Sequence, residues 1–129
     1  MNQVIQSATK KTRFTPKRQT KKFVENQFNL LAEQWYLDTL HSSAYLDKIL
    51  HPAYQRIIGL GKNVIPLILR ELQDHPAHWF WALRALTGED PTTPEQAGKM
   101  REMANAWINW GKENGYIQNS KNMRVHNAL

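Results

Sequence analysis

The sequence predicts an all-α fold, a compact bundle of five or six helices in a single domain. Three observations carry that expectation. Apolar residues recur at helical spacing in several separate runs, Pro or Gly marks the boundaries between runs, and one run opens on a capping box. At 129 residues the chain fits one domain, and the part after about residue 22 suffices to bury a modest core.

Residues 1–20 have few apolar side chains and no helical or strand period, and Pro16 sits among Thr, Ser and Gln. A disordered basic arm is expected there. A first helix should run from near Lys21 to about His41. Val24, Phe28, Leu31 and Trp35 form its stripe, and Leu30, Leu37 and Leu40 are expected to widen it. Ser42-Ser43 breaks the pattern and can cap a short helix from Ala44 to about Leu50. His51-Pro52 opens the next, since a proline in the first turn removes no needed donor; Gly59 and Gly61 close it.

A fourth helix, about Lys62 to Gln73, is apolar on most sides through Val64, Ile65, Leu67, Ile68, Leu69 and Leu72, so it belongs at the centre. Pro66 falls in its first turn. After Asp74-His75-Pro76, a fifth helix is expected from about Ala77 to Leu86, burying some combination of Trp79, Phe80, Leu83 and Leu86, with Gly88 as its C′ residue. The last should start at Thr93, with Pro94 at its first position and Gln96 completing the capping box. Ala97, Met100, Met103, Ala104, Trp107 and Ile108 are its expected buried stripe, and Gly115 its stop. The helical domain therefore spans residues 21–117, and 118–129 read as a frayed tail.

Composition narrows the function classes. There is no Cys, hence no disulfide and no thiolate metal site. No apolar run reaches the roughly 18–20 residues of a membrane span, and the N-terminus lacks the apolar centre of a secretory signal. Its basic, acid-free, Ser/Thr-bearing composition also resembles an organelle transit peptide, but a cytoplasmic location is the default expectation. The formal charge of +6 is unevenly placed. Residues 1–22 hold Lys10, Lys11, Arg13, Lys17, Arg18, Lys21 and Lys22 with no acid, whereas the other 107 residues carry ten Lys or Arg against eleven Asp or Glu. The positive charge thus belongs to the arm, which can neutralise phosphates of nucleic acid or dock on an acidic protein surface. Phe14 is its only aromatic ring, so base stacking is not expected. The plain alternative is a solubilising tail.

The stretch 54–91 resembles a HEAT-like helical repeat unit. The residues that carry the likeness are Leu60-Gly61, Ile65-Pro66-Leu67, Leu69, Leu72 and Ala82-Leu83-Arg84-Ala85-Leu86. Such units are helical hairpins that stack on neighbours. Here Trp79-Phe80-Trp81 replaces small residues and no second copy follows at a 30–45-residue period, so the hairpin is expected to form the core of a closed bundle. The wording HPAYQRIIGLG…HWFWALRALTGEDP also resembles a group of small uncharacterised bacterial proteins, which implies no activity.

Other constellations have plain readings beside their functional ones. Of Trp35, Trp79, Trp81, Trp107 and Trp110, most should be core; Trp81 and Trp110 are the candidates for half-exposed, partner-binding anchors. Asp74, His75 and His78 could ligate a metal, but there is no second well-spaced pair, and turn and helix-start roles account for them. Glu71, Asp74, Glu89 and Asp90 fall near the turns around the fifth helix without a nucleophile, phosphate loop or metalloprotease motif. No catalytic residue, metal or cofactor is assigned. The expectation is a non-enzymatic interaction or adaptor module that binds a protein partner, its arm contacting nucleic acid or an acidic surface. The alternative is a DNA- or RNA-binding accessory protein, with a groove formed by Arg56, Lys62, Arg70 and Arg84.

Overall fold

Thr20 stands where the first helix must begin, and its hydroxyl accepts the Phe23 backbone N–H at 3.0 Å, satisfying one of the donors that a helix start leaves open. The computed structural model describes residues 20–118. Among them are six α-helices and no strand: α1 Lys21–Asp38, α2 Tyr45–Ile49, α3 Pro52–Gly59, α4 Ile65–Asp74, α5 Phe80–Thr87 and α6 Met100–Glu113. Short 3-10 turns occupy Lys62–Val64 and Pro94–Gln96. The fold class is all-α, as the sequence predicts. The expected arm, residues 1–19, and the tail from 119 onward lie outside the described residues.

The most extensive packings are α1 on α3, α4 on α6 and α3 on α5. Val24, Phe28, Leu31 and Trp35 bury one face of α1. Leu30, Leu37 and Leu40 do not widen that stripe and are all exposed: Leu30 and Leu37 point well round the helix from it, and Leu40 lies in the turn after α1 has ended. Trp35 Nε1–H donates to the Lys48 carbonyl at 2.8 Å, which pins α2 beside the end of α1. His51 caps α3: its Nδ1 accepts the Ala53 N–H at 3.0 Å, while Nε2 donates to Asp38 at 2.9 Å. α4 places Ile65, Ile68, Leu69 and Leu72 in the core, with Pro66 in its first turn as expected. No helix among the described residues is long and apolar enough to cross a membrane.

Three helix starts differ from expectation. α4 begins at Ile65 rather than Lys62, with Lys62–Val64 forming a 3-10 turn before it. α5 begins at Phe80 rather than Ala77, leaving Trp79 as its N-cap residue, and Gly88 then closes it with φ 73°. His75-Pro76 therefore marks the end of α4 rather than a helix entry. The Thr93–Gln96 capping box forms, with Thr93 N–H donating to Gln96 Oε1 at 3.0 Å, but it caps only the 3-10 turn. Gly98 at φ 80° breaks the run, so α6 starts at Met100 and Ala97 is exposed instead of buried.

Candidate interaction site

The site is built outward from a closed aromatic cluster. Trp79 is fully buried; its ring stacks on Tyr54 at 5.6 Å and 11° and lies 4.6 Å from Trp35. Its Nε1–H donates to the Tyr36 hydroxyl at 3.1 Å, and Tyr36 in turn donates to Glu71 Oε1 at 2.9 Å. The Tyr54 hydroxyl donates to the His78 carbonyl and accepts the Ala82 N–H, both at 2.9 Å. Ala82 lies in the first turn of α5, which has no side-chain cap of its own, so a tyrosine of α3 serves as the cap. Burial holds both tyrosine hydroxyls well above their ordinary pKa, so they remain donors at any physiological pH.

With Trp79 locked inward, Trp81 must point out, since residues two apart on a helix diverge by about 200°. Trp81 is 39% exposed. It stands at the edge of a cleft of about 280 Å³, lined by Phe80, Trp107, Met100 and Met103 and rimmed by His78, Arg84 and Asp90. The Arg84 guanidinium sits 5.6 Å over the Trp81 ring, and its Nε lies 3.9 Å from Asp90, so a cation–π contact and an exposed ion pair meet at the rim. Burial, with the Lys48 charge adding to it, lowers the pKa of His78 below 6.5, favouring the neutral ring at the rim. Trp107 forms part of the floor, and its Nε1 has no hydrogen-bond acceptor. Chemically, the cleft suits an apolar or aromatic side chain, and unbranched methionines let it adapt to the shape presented.

Trp81 is thus half-exposed as expected, but Trp110 is not. It is 8% exposed, stacks on Tyr116 at 5.3 Å and donates from Nε1 to Glu89 at 3.1 Å. It braces α6 against the preceding loop and offers little surface to a partner. Sequence reasoning assigned Met100 and Met103 to the buried stripe of α6 and missed them as cleft residues; both are only partly buried. The available signal was their spacing ahead of Trp107, three and four residues apart on one face.

Among the basic residues, Lys10, Lys11, Arg13, Lys17 and Arg18 lie outside the described residues. Lys21 and Lys22 are exposed in the first turn of α1. Lys21 joins Lys62 and Arg70 around a second groove of about 400 Å³, with Glu25, Asn63 and Tyr116. The expected groove of Arg56, Lys62, Arg70 and Arg84 does not assemble: Lys62 and Arg70 meet, Arg84 borders the aromatic cleft, and Arg56 lines neither. The acids are dispersed too. Glu71 accepts from Tyr36, Glu89 from Trp110, and Asp90 from Thr92. Among the described residues no three His, Cys, Asp or Glu side chains stand together in a group able to hold a metal ion.

Comparison of the chain with family models, with curated proteins and with solved structures returned no match.

Proposed function

We propose that this chain is a non-enzymatic helical interaction module whose cleft between α5 and α6 receives an apolar side chain of a protein partner. The observation that carries this reading is the open aromatic–methionine cleft, with Trp81 exposed beside Arg84 at its edge. Aromatic residues and Arg dominate the energetics of protein interfaces, and methionine suits surfaces that must fit a partner. The HEAT-like reading of 54–91 belongs to the same proposal, as a hairpin of α3 and α4 followed by α5, which carries the partner-facing edge. The test is a photo-cross-linking residue in place of Trp81, compared with one in place of the exposed Glu95, on pull-down from the native cell with and without nuclease. A discrete protein adduct at 81 alone, insensitive to nuclease and lost on adding Met103→Lys, is the expected result. Equal labelling from both positions sinks the cleft as the contact.

A second reading, a DNA- or RNA-binding accessory protein, is favoured by one feature. Lys21, Lys62 and Arg70 border a common groove at the point where the basic N-terminal segment enters α1. Phosphate contacts by these side chains and the arm give binding that weakens steeply with salt. Fluorescence anisotropy with a labelled duplex and a labelled single strand at low salt decides it. No binding to either would end this reading, and binding that survives conversion of Lys10, Lys11, Arg13, Lys17 and Arg18 to Gln would move it from the arm to the groove.

A further inference from the structure

The groove of about 400 Å³ that Lys21, Lys62 and Arg70 share is built from two helix faces. On α1, Val24 and Glu25 stand one turn on from Lys21. Along the 3-10 turn and α4, Asn63, Leu67 and Arg70 follow at four- and three-residue steps, with Pro66 beside them. Each set therefore shares one side of its helix.

The charges of this groove are not spent on one another. Among the described residues the ion pairs are His51–Asp38 and Arg84–Asp90, so none of the three cations has an acid partner there. Glu25 is the one carboxylate on the lining, which leaves an excess of positive charge. Lys62 and Arg70 lie about 13 Å apart in rise, at roughly 2.0 Å per residue through the 3-10 turn and 1.5 Å through α4. Between them the wall is apolar: Pro66 and Leu67 are half-buried and Val24 is buried. Tyr116, just past the end of α6, also lines the groove. Trp110 stacks on its ring at 5.3 Å and 15°, so the groove meets the part of the ring that Trp110 leaves uncovered.

We propose that this groove holds a nucleotide of a single-stranded nucleic acid. The base lies against Pro66, Leu67 and Tyr116, and the phosphates on either side of it meet Lys62, Arg70 and Lys21. The proposal rests on the second reading above, that phosphates bind here, and adds the form of the strand. A duplex keeps its base faces inside the stack and would leave the apolar wall uncovered, whereas a single strand presents phosphate and base face together. Asn63, exposed beside Lys62, offers both a donor and an acceptor to the polar edge of a base; the carboxylates of an acidic peptide call for donors alone. The basic N-terminal segment joins α1 at Thr20, next to Lys21. A strand longer than the groove meets those further cations, and a free nucleotide does not.

Fluorescence anisotropy on the full-length protein, at low salt, compares a labelled single strand with the same strand annealed to its complement. The single strand should bind at least tenfold tighter. Lys62→Gln combined with Arg70→Gln, both exposed side chains, should weaken strand binding at least tenfold. It should also reduce the slope of log K against log salt by about 1.4, at roughly 0.7 per phosphate contact. Tyr116→Leu should weaken strand binding about fivefold or more with the slope unchanged, since a lost stacking contact releases no counterions. Duplex binding as tight as that of the single strand overturns the proposal and leaves the nucleic-acid reading standing; no binding of either overturns both. Strand binding untouched by the Lys62→Gln and Arg70→Gln pair places the contact on the arm alone and also overturns it. So does displacement of the strand by poly-glutamate at equal charge, which marks an acidic protein segment as the occupant, or by AMP at equal phosphate concentration.

Discussion

The two tryptophan clusters of this protein are made of the same residue types and are finished differently. Around Trp79 every polar atom of the rings has a partner: Trp35 Nε1 meets Lys48, Trp79 Nε1 meets Tyr36, and Tyr54 bridges His78 and Ala82. Around Trp107 the indole N–H is buried without an acceptor, the neighbouring methionines are only partly covered, and a cleft stays open. A buried ring whose polar edge is satisfied holds one position tightly; one left unsatisfied sits where other demands outweigh packing. The first cluster fixes how α1, α3 and α5 meet. The second leaves a surface free.

That contrast can be broken most severely by Trp79→Ala. It removes the ring that Phe28, Trp35, Tyr36 and Tyr54 enclose, leaves the Tyr36 hydroxyl without its donor, and should cost about 3–5 kcal/mol by urea unfolding. A finer comparison sets Trp79→Phe beside Trp107→Phe. Both lose similar volume, but only the second also removes an unpaired donor, whose burial costs about 1–3 kcal/mol. Trp107→Phe should therefore be the milder change by about that amount; equal costs would mean that the Trp107 N–H is satisfied in solution. Tyr54→Phe keeps the ring and deletes one bridging hydroxyl, leaving the buried Ala82 N–H open, with an expected loss of about 1–3 kcal/mol. Trp81→Ala, at the rim, should move stability by only about 0.5 kcal/mol while lowering recovery of the protein partner on pull-down.

The smallest expected effect is in pH. The pKa of His78 in the folded protein lies below its ordinary 6.5. Above 6.5 both folded and unfolded forms are neutral there and the group contributes no pH dependence. As pH falls through 6.5 the unfolded chain takes the proton first, so stability declines until the pH passes below the folded value, where the loss levels off. Urea midpoints from pH 8 to 5 should fall less steeply for His78→Gln than for the unaltered protein.

Local signals in the sequence were sufficient wherever one residue acts on its own neighbours. Pro52 and Gly88 start and end helices where expected, Pro66 falls within a first turn, and Val24, Phe28, Leu31 and Trp35 face the core. Misreadings arose where a distant element decides. Leu30 and Leu37 look like core by composition, but whether a helix face is covered depends on what packs there. Trp110 looks like an anchor until Glu89 and Tyr116 close over it. The capping box at Thr93 is real and yet starts no α-helix, because Gly98 intervenes before any apolar residue can dock. The aromatic cleft was invisible for the same reason: its two walls come from α5 and α6, and no local pattern records their spacing.

The cap that Tyr54 lends to α5 also sets an order of events. An eight-residue helix without its own cap lacks the length to hold together alone, since forming the first turn is unfavourable and short helices in water are marginal. Phe80–Thr87 is therefore expected to stay largely unwound until α3 has presented its hydroxyl, and the contact that caps α5 spans 28 residues of chain. Closing that loop is entropically costly and belongs late in assembly. During synthesis α3 leaves the ribosome first, so the acceptor is already waiting when the segment that needs it emerges. The wall that carries Trp81 thus depends for its start on a residue of α3, and the cleft is complete only when α6 brings Met100, Met103 and Trp107 against it.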